Sequence, residues 1–202
     1  MFTVYGDIKS GNCYKIKLLL NLLGEEHHWQ HVDILKGESR TEDYLAKNPV
    51  GKIPLLEFTN GQYLAESNAI LNYLADGSQY LPDNRFQRAL VLQWQFFEQY
   101  SHEPYIATAR YINKYLGMPE DKKAEYESKQ EGGHRALRVM ESQLAKSTFL
   151  VDDQFTIADI SLYGYTHVAD EGGFDLSGYP SITSWLERIA NLDGYISMAD
   201  AT

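Results

Sequence analysis

The strongest constraint on the fold is a change of pattern after roughly the first third of the 202 residues. Before the change, short β-favouring runs alternate with segments of helical periodicity, whereas after it the periodicity is helical throughout. The stretch between the two patterns is rich in glycine, serine, proline and aspartate, the residue types that form turns. We therefore expect two domains, residues 1–76 and 85–202, joined by a linker at 77–84.

The first 76 residues predict a small α/β domain. Ser10 and Asn12 are helix-capping residues, Gly24 is suited to ending a helix, and Asn60-Gly61 favours a tight hairpin. The predicted elements are, in chain order, strand 2–5, a helix that stops at Gly24, strand 28–35, helix 41–47, strand 51–58, strand 62–64 and a helix opened by Glu66-Ser67. This βαβαββα order is that of a thioredoxin-like domain.

The second domain is predicted to be an all-α helical bundle. Its helical stretches are 85–116, 119–145, 156–169 and 181–190. Thr156 and Asp159 have the spacing of a capping box, and Phe155 and Ile160 are placed to form a hydrophobic staple around it. We expect these residues to stabilise the fold and to take no part in a binding site.

Composition argues against several classes of partner. The chain carries 28 acidic and 18 basic residues, and this net charge of −10 opposes binding to nucleic acid and to anionic membrane surfaces. A single cysteine permits no internal disulfide, and the six histidines lack the spacing of a metal site, so we expect no metal cofactor. The chain shows no apolar run of membrane-spanning length and no secretion signal, so we expect a cytoplasmic protein without a membrane partner.

The segment from Ser10 to Lys15 is the first candidate for chemistry. It places small polar groups at the start of a helix, where unpaired backbone N–H groups and the helix dipole favour a thiolate or an alkoxide. A hydroxyl group there could donate a hydrogen bond to a thiolate. Simple capping of the helix by Ser10 and Asn12 is the alternative explanation, and this segment taken alone favours it.

Cys13 occupies the second cysteine position of a Cys-x-x-Cys pair, and Ser10 holds the first. Cys13 also shares a helix face with Ile16 and Leu20, which favours a buried and unreactive thiol. Glutaredoxin-like disulfide reduction is therefore disfavoured.

Two further segments suggest a peptide-like ligand. A cis bond between Ile53 and Pro54 would leave the Ile53 N–H and C=O free to pair with an extended ligand, although a trans proline that opens an edge strand is the alternative. Ser67 and its backbone N–H, at the start of a helix, could receive a ligand carboxylate, and Glu66 could receive an ammonium group. The alternative is that Glu66 serves only as an acid favoured by the helix dipole.

These three segments in this order, followed by a helical domain, resemble the soluble glutathione transferases over the whole chain. Ser10-Gly11-Asn12-Cys13-Tyr14-Lys15 is similar to the serine motif of the phi and theta-like classes. The stretch from Gly37 to Pro49 resembles the phi-type segment that ends in Asn-Pro. In that segment the family has a histidine–lysine pair, and here Ser39-Arg40 occupies those positions, so the histidine is lost and the cation is kept.

The resemblance implies glutathione as co-substrate and assigns roles to the motif residues. Ser10 would support the glutathione thiolate, with Asn12 as the alternative donor, and Arg40 would bind the glycine end. Lys52, Ile53 and cis Pro54 would pair with the cysteinyl part. Glu66 and Ser67 would hold the γ-glutamyl group.

The resemblance further implies detoxification by transfer of the thiolate to a small hydrophobic electrophile, and a homodimer. It places the acceptor pocket near Tyr105, Arg110 and Tyr111, although Arg110 could instead be a surface ion-pair partner. Tyr63 and the segment 85–98 are the candidate dimer contacts. Glutathione-dependent isomerisation, peroxide reduction, dehalogenation and a non-catalytic binding role remain alternatives on the same site.

Overall fold

A computed structural model describes residues 1–201 of the chain. The contacts divide it into two compact units: residues 1–78 together with the segment from Leu192 onward, and residues 79–191.

The grouping of the C-terminal segment differs from the sequence interpretation, which placed it in the helical domain. Two polar side chains of the first helix account for the difference. The Tyr14 hydroxyl donates to the Ile196 carbonyl at 2.7 Å, and the Asn21 amide donates to the Gly194 carbonyl at 2.7 Å. The segment thus supplies acceptors to residues almost the whole chain length away, and no local pattern in the sequence signals such pairs.

The first unit has the predicted βαβαββα order. Its elements are β1 Phe2–Gly6, α1 Gly11–Leu23, β2 His27–His31, α2 Glu42–Lys47, β3 Leu55–Glu57, β4 Tyr63–Ala65 and α3 Ser67–Ala75, with a 3₁₀ turn at Glu38–Arg40. The four strands form one sheet in the order β2-β1-β3-β4. β1 and β2 run parallel, and β3 is antiparallel to both β1 and β4. The thioredoxin-like fold is therefore confirmed.

Strands β2 and β3 are shorter than the sequence predicts. After β2 the Asp33 side chain accepts hydrogen bonds from the backbone N–H groups of Leu35 and Lys36, so the chain turns where the alternating pattern predicted a strand. Before β3 the Lys52 carbonyl accepts from side chains, the Tyr44 hydroxyl and the Asn48 amide. Side-chain hydrogen bonds thus replace strand pairing in both places.

The core of the first unit is formed by α1, the sheet and α3. Completely buried apolar side chains come from each of these elements: Val4, Ile16, Leu19, Leu20, Leu55, Leu56, Ile70 and Leu71. Burial of each side chain of this size stabilises the fold by about 1.5–3 kcal/mol. This packing fixes the two helices relative to the sheet, and the N-termini of both helices carry predicted site residues.

The second unit is helical. Its α-helices are α4 Arg85–Phe97, α5 Glu103–Arg110, α6 Lys123–Leu144, α7 Ile157–Thr166 and α8 Pro180–Ala190, with 3₁₀ turns at Glu120–Lys122 and Ala169–Gly172. Among residues 1–201, no helix is both long enough and apolar enough to cross a membrane.

The predicted helix 85–116 is interrupted twice by π-helical turns, at Glu98–His102 and Tyr111–Tyr115. Pro104 explains the first interruption, since it has no N–H to donate and its ring would clash with the carbonyl four residues earlier. A wider turn before the proline relieves this clash.

The predicted capping box lies at the start of α7. Thr156 Oγ1 accepts from the Ala158 N–H at 3.2 Å, and Asp159 Oδ2 accepts from the Thr156 N–H at 2.9 Å. Asp159 Oδ1 also accepts from the Leu150 N–H at 3.0 Å and from Trp185 Nε1 at 2.9 Å. Burial raises the pKa of Asp159 to about 6, while these hydrogen bonds act in the opposite direction. One carboxylate therefore joins α7, α8 and the loop that carries Leu150.

We expect Asp159→Asn to lower the free energy of unfolding by about 2–4 kcal/mol, because an amide NH₂ would replace one acceptor and face a buried N–H donor. Urea denaturation measures this loss. Asp175→Asn is the matched control, since Asp175 is exposed and accepts only from Ser177; its loss should be below about 1 kcal/mol. Equal losses in the two variants would contradict the structural role assigned to Asp159.

Candidate functional site

The first and third predicted segments meet at the N-termini of α1 and α3. Asn12 Oδ1 accepts a hydrogen bond from Ser67 Oγ at 3.1 Å and another from Lys15 Nζ at 2.7 Å. Ser67 is 5% exposed, and Asn12 is half-buried. The positive ends of two helix dipoles are thus brought together, which creates a favourable place for negative charge.

Ser10 lies at the N-cap of α1, but its side chain makes no capping hydrogen bond to the helix backbone. The hydroxyl instead hydrogen-bonds to the Cys13 thiol, which favours the charged form of that thiol. Cys13 is completely buried, and burial outweighs this effect and raises its pKa to about 12. Cys13 is therefore a protonated core thiol, as the sequence predicted.

The second predicted segment is held against α2. The Ile53-Pro54 peptide bond is cis. The Lys52 carbonyl accepts from the Tyr44 hydroxyl and from the Asn48 amide, each at 2.8 Å. Within residues 1–201 no hydrogen bond reaches the Ile53 backbone, so its N–H and C=O remain available to an extended ligand.

Glu66 has an unusual backbone conformation, with a φ of 69°. A positive φ in a residue other than glycine costs about 1–3 kcal/mol and is concentrated at functional sites. Its carboxylate is exposed, and its carbonyl accepts the Ile70 N–H in the first turn of α3. The conformation places an acidic side chain directly before the helix N-terminus that carries Ser67.

Arg40 is anchored beside the second segment. Its Nη1 donates to the Val50 carbonyl at 3.1 Å. Gly51 has a φ of 64°, and a Cβ added there would lie 2.7 Å from Arg40 Nη1. The guanidinium group therefore lies against the Gly51 backbone, and any side chain at position 51 would prevent this contact. The cation predicted from sequence is thus next to the Lys52–Pro54 segment.

Lys15 is a site residue that sequence reasoning did not single out. It is 0% exposed, although lysine is almost never fully buried without a partner. The available signal was its spacing, because residues three apart on a helix lie on the same face and Lys15 is three residues after Asn12. Because Cys13 and Ile16 predicted an apolar core face, Lys15 was not considered as a partner of Asn12.

The candidate acceptor residues belong to the second unit, and all three have packing partners there. The Tyr105 ring lies over Gly132, where an added Cβ would clash with it. Arg110 is 4% exposed, donates to Glu171 Oε2 at 2.6 Å and lies 5.5 Å from the centre of the Tyr115 ring. Arg110 therefore forms an ion pair, as the alternative explanation proposed, but its side chain is buried and does not lie on the surface. Tyr111 is exposed and stacks on Tyr115.

The comparisons with known proteins agree with this geometry. Residues 10–76 match the family model "Glutathione S-transferase, N-terminal domain", and residues 93–193 match "Glutathione S-transferase, C-terminal domain". A solved glutathione S-transferase from Pseudomonas fluorescens Pf-5 is 59% identical, with a TM-score of 0.97 over 98% of this chain and 99% of that one.

Two more distant relatives also match over nearly the full length. A Phanerochaete chrysosporium glutathione transferase, solved in complex with oxidized glutathione, is 28% identical, with a TM-score of 0.86 over 99% of this chain and 94% of that one. A maleylacetoacetate isomerase from Rhizobium meliloti is 28% identical, and the match covers 95% of this chain and 92% of the isomerase. With both domain models matched in the expected order, and with the fold in agreement, the chain belongs to the glutathione S-transferase family.

Proposed function

We propose that the protein binds glutathione in its first unit and transfers the glutathione sulfur to a small hydrophobic electrophile, as a cytoplasmic detoxifying enzyme. The observation that carries this proposal is the hydrogen bond between Ser67 and Asn12, which unites the N-termini of α1 and α3. Glutathione offers two carboxylates, an ammonium, two amides and a thiol, and the surrounding groups are complementary to each of them.

The ligand is assigned to the site as follows. The γ-glutamyl carboxylate binds at Ser67 and the N-terminus of α3, and its ammonium binds the exposed Glu66 carboxylate. The cysteinyl amide pairs with the Ile53 backbone in the manner of an added strand. Arg40 and Lys52 face the glycine carboxylate, which offsets the repulsion of an anion by a chain of charge −10.

The reaction requires the ionised thiol. A free thiol titrates near pH 8.5, so only a few per cent is thiolate at neutral pH. A hydrogen-bond donor at the sulfur stabilises the thiolate, and the thiolate then forms a bond to the electrophilic carbon. In a substitution, the bond to the leaving group breaks and its electron pair departs with that group. In an addition to a double bond, the displaced electron pair is protonated by solvent.

We assign the donor role to Asn12 rather than to Ser10, because hydrogen bonds from Lys15 and Ser67 to Oδ1 orient the Asn12 carboxamide. This reverses the priority that the sequence suggested. Glutathione-dependent isomerisation is a second candidate function, favoured by the similarity to the Rhizobium isomerase.

We expect Asn12→Ala to lower kcat about 10- to 100-fold, the loss of a charge-assisted hydrogen bond of about 1.5–3 kcal/mol. Ser10→Ala should lower kcat less than about threefold, and Ser67→Ala should mainly raise KM for glutathione, because it contacts the bound ligand away from the sulfur. Steady-state kinetics with a chromogenic electrophile measure all three variants. A Ser10 variant that is slower than the Asn12 variant would return the donor role to Ser10.

We expect Arg40→Ala to weaken glutathione binding about tenfold and to leave the melting temperature unchanged, because the guanidinium contacts the ligand carboxylate and only one backbone carbonyl of the protein. Calorimetric titration gives the affinity. Lys36→Ala, which removes an exposed cation paired with Asp33, is the control and should bind glutathione normally. Unchanged affinity in the Arg40 variant would remove Arg40 from the site.

We further propose a two-fold homodimer, supported by an exposed apolar stripe along α4 and the turn that follows it. Leu92, Phe96 and Tyr100 are spaced four residues apart, and Phe86 lies in the first turn of α4; their side chains are 43%, 62%, 79% and 70% exposed, respectively. Exposed apolar surface of this kind marks an interaction site, and two-fold dimers are the commonest soluble oligomers. The second predicted contact, Tyr63, is also partly exposed, with its hydroxyl donating to Glu57.

Sedimentation equilibrium at micromolar concentration should give twice the 23.1 kDa chain mass. Phe96→Asp should give the monomer mass, because a carboxylate would be desolvated in the apolar interface. Leu116→Asp, at an exposed apolar position outside the stripe, should remain dimeric. A monomeric wild-type protein would refute the dimer.

A further inference from the structure

The buried lysine of α1 calls for an explanation beyond packing. Lys15 is completely buried, and its Nζ donates to Asn12 Oδ1 at 2.7 Å. Removing an ammonium group from water costs several kcal/mol, and an apolar side chain of similar volume would be stabilising at most such positions. Retention of a cation here therefore suggests a role in the chemistry at the N-terminus of α1.

The hydrogen bonds to Asn12 define which way its side chain is turned. Its Oδ1 accepts from Lys15 and also from Ser67 Oγ at 3.1 Å. Both donors require the carbonyl oxygen, because the NH₂ group of a carboxamide cannot accept a hydrogen bond. Lys15 has donors only, so it excludes the flipped amide. The NH₂ group is thereby directed away from Lys15 and Ser67.

The positive charge of Lys15 also acts on the Cys13 thiol near the start of α1. It lowers the pKa of the Cys13 thiol, whereas the Asp7 carboxylate, in the loop between β1 and α1, raises it. Of the charged groups around the helix start, Asp7 and Glu66 disfavour a nearby thiolate and Lys15 favours it. A glutathione sulfur bound at Asn12 would be subject to the same opposing fields.

We propose that Lys15 is a positioning residue for the transfer reaction: it fixes the Asn12 carboxamide with its NH₂ toward the glutathione sulfur, and its buried charge stabilises the thiolate. The inference rests on the proposed glutathione site. It assigns Lys15 no contact with the ligand, since the ammonium acts through Asn12 and through its field.

The test compares Lys15→Met with Lys17→Met. Both variants remove one positive charge from α1 with similar side-chain length, but Lys17 hydrogen-bonds to His27 and lies near the Trp29 ring, away from Asn12. The pKa of protein-bound glutathione is measured by titrating the ultraviolet absorbance of its thiolate, and kcat and KM are measured across pH.

For Lys15→Met we expect the pKa of the bound thiol to rise by about one unit, kcat at neutral pH to fall about tenfold, and the calorimetric affinity for glutathione to change less than about threefold. Lys17→Met should match the wild type in all three measurements. In an Asn12→Ala background the Lys15 substitution should have a smaller effect on kcat, because the group that it positions is absent and only the effect of its charge remains.

The outcomes separate this inference from the proposed function. Failure of the wild type to bind glutathione would refute the site itself. Normal binding together with an unchanged thiol pKa and kcat in Lys15→Met would overturn the role of Lys15 alone. If Lys15→Met does not fold, Lys15→Gln decides: it keeps a donor for Asn12 and loses the charge, so an unchanged thiol pKa in that variant overturns the proposal.

Discussion

The hydrogen bond between Ser67 and Asn12 is the contact on which the organisation of the first unit depends. It joins the N-termini of two helices that are packed side by side by their buried leucine and isoleucine residues. Close apolar packing fixes the two helices against the sheet. The polar bond between the two helix starts then holds together the ends at which the unpaired backbone N–H groups lie.

Two features that lower the stability of the unit lie close to this contact. Glu66 adopts a positive φ, and Lys15 places a charge in the core. Each would destabilise an isolated domain, so their coexistence requires the surrounding packing to offset them. Strain and buried charge at one point, next to available backbone donors, are the physical features of a site selected for ligand chemistry.

The electrostatics of the chain are acidic overall but cationic at this point. The net charge of −10 disfavours anionic partners in general. The two helix N-termini and the buried Lys15 oppose this locally, and Arg40 and Lys52 add positive charge to the proposed glutathione site. Over distances beyond about 8 Å, salt screens the remaining acidic charge, so the proposed site favours a ligand that carries two carboxylates.

The sequence by itself determined the order of the elements and the capping box, and it supplied most residues of the proposed glutathione site. These features depend on residues close together in the chain: Thr156 and Asp159 are three apart, Ile53 and Pro54 are adjacent, and Ser67 opens its own helix. Local hydrogen bonds and backbone preferences operate over this range, so a single sequence reveals them. The strand ends and the break before Pro104 were missed because side-chain hydrogen bonds and a helix clash overrode the periodic pattern.

Only the tertiary structure decided the remaining features, since they depend on residues far apart in the chain. It placed the segment from Leu192 onward with the first unit through Tyr14 and Asn21. It buried Arg110 against Glu171. It also joined Ser67 to Asn12 across 55 residues, which fixes the face that the Asn12 amide presents. Burial and hydrogen-bond direction are properties of the packed chain, and they gave Lys15 a role that its place on an apolar helix face had concealed.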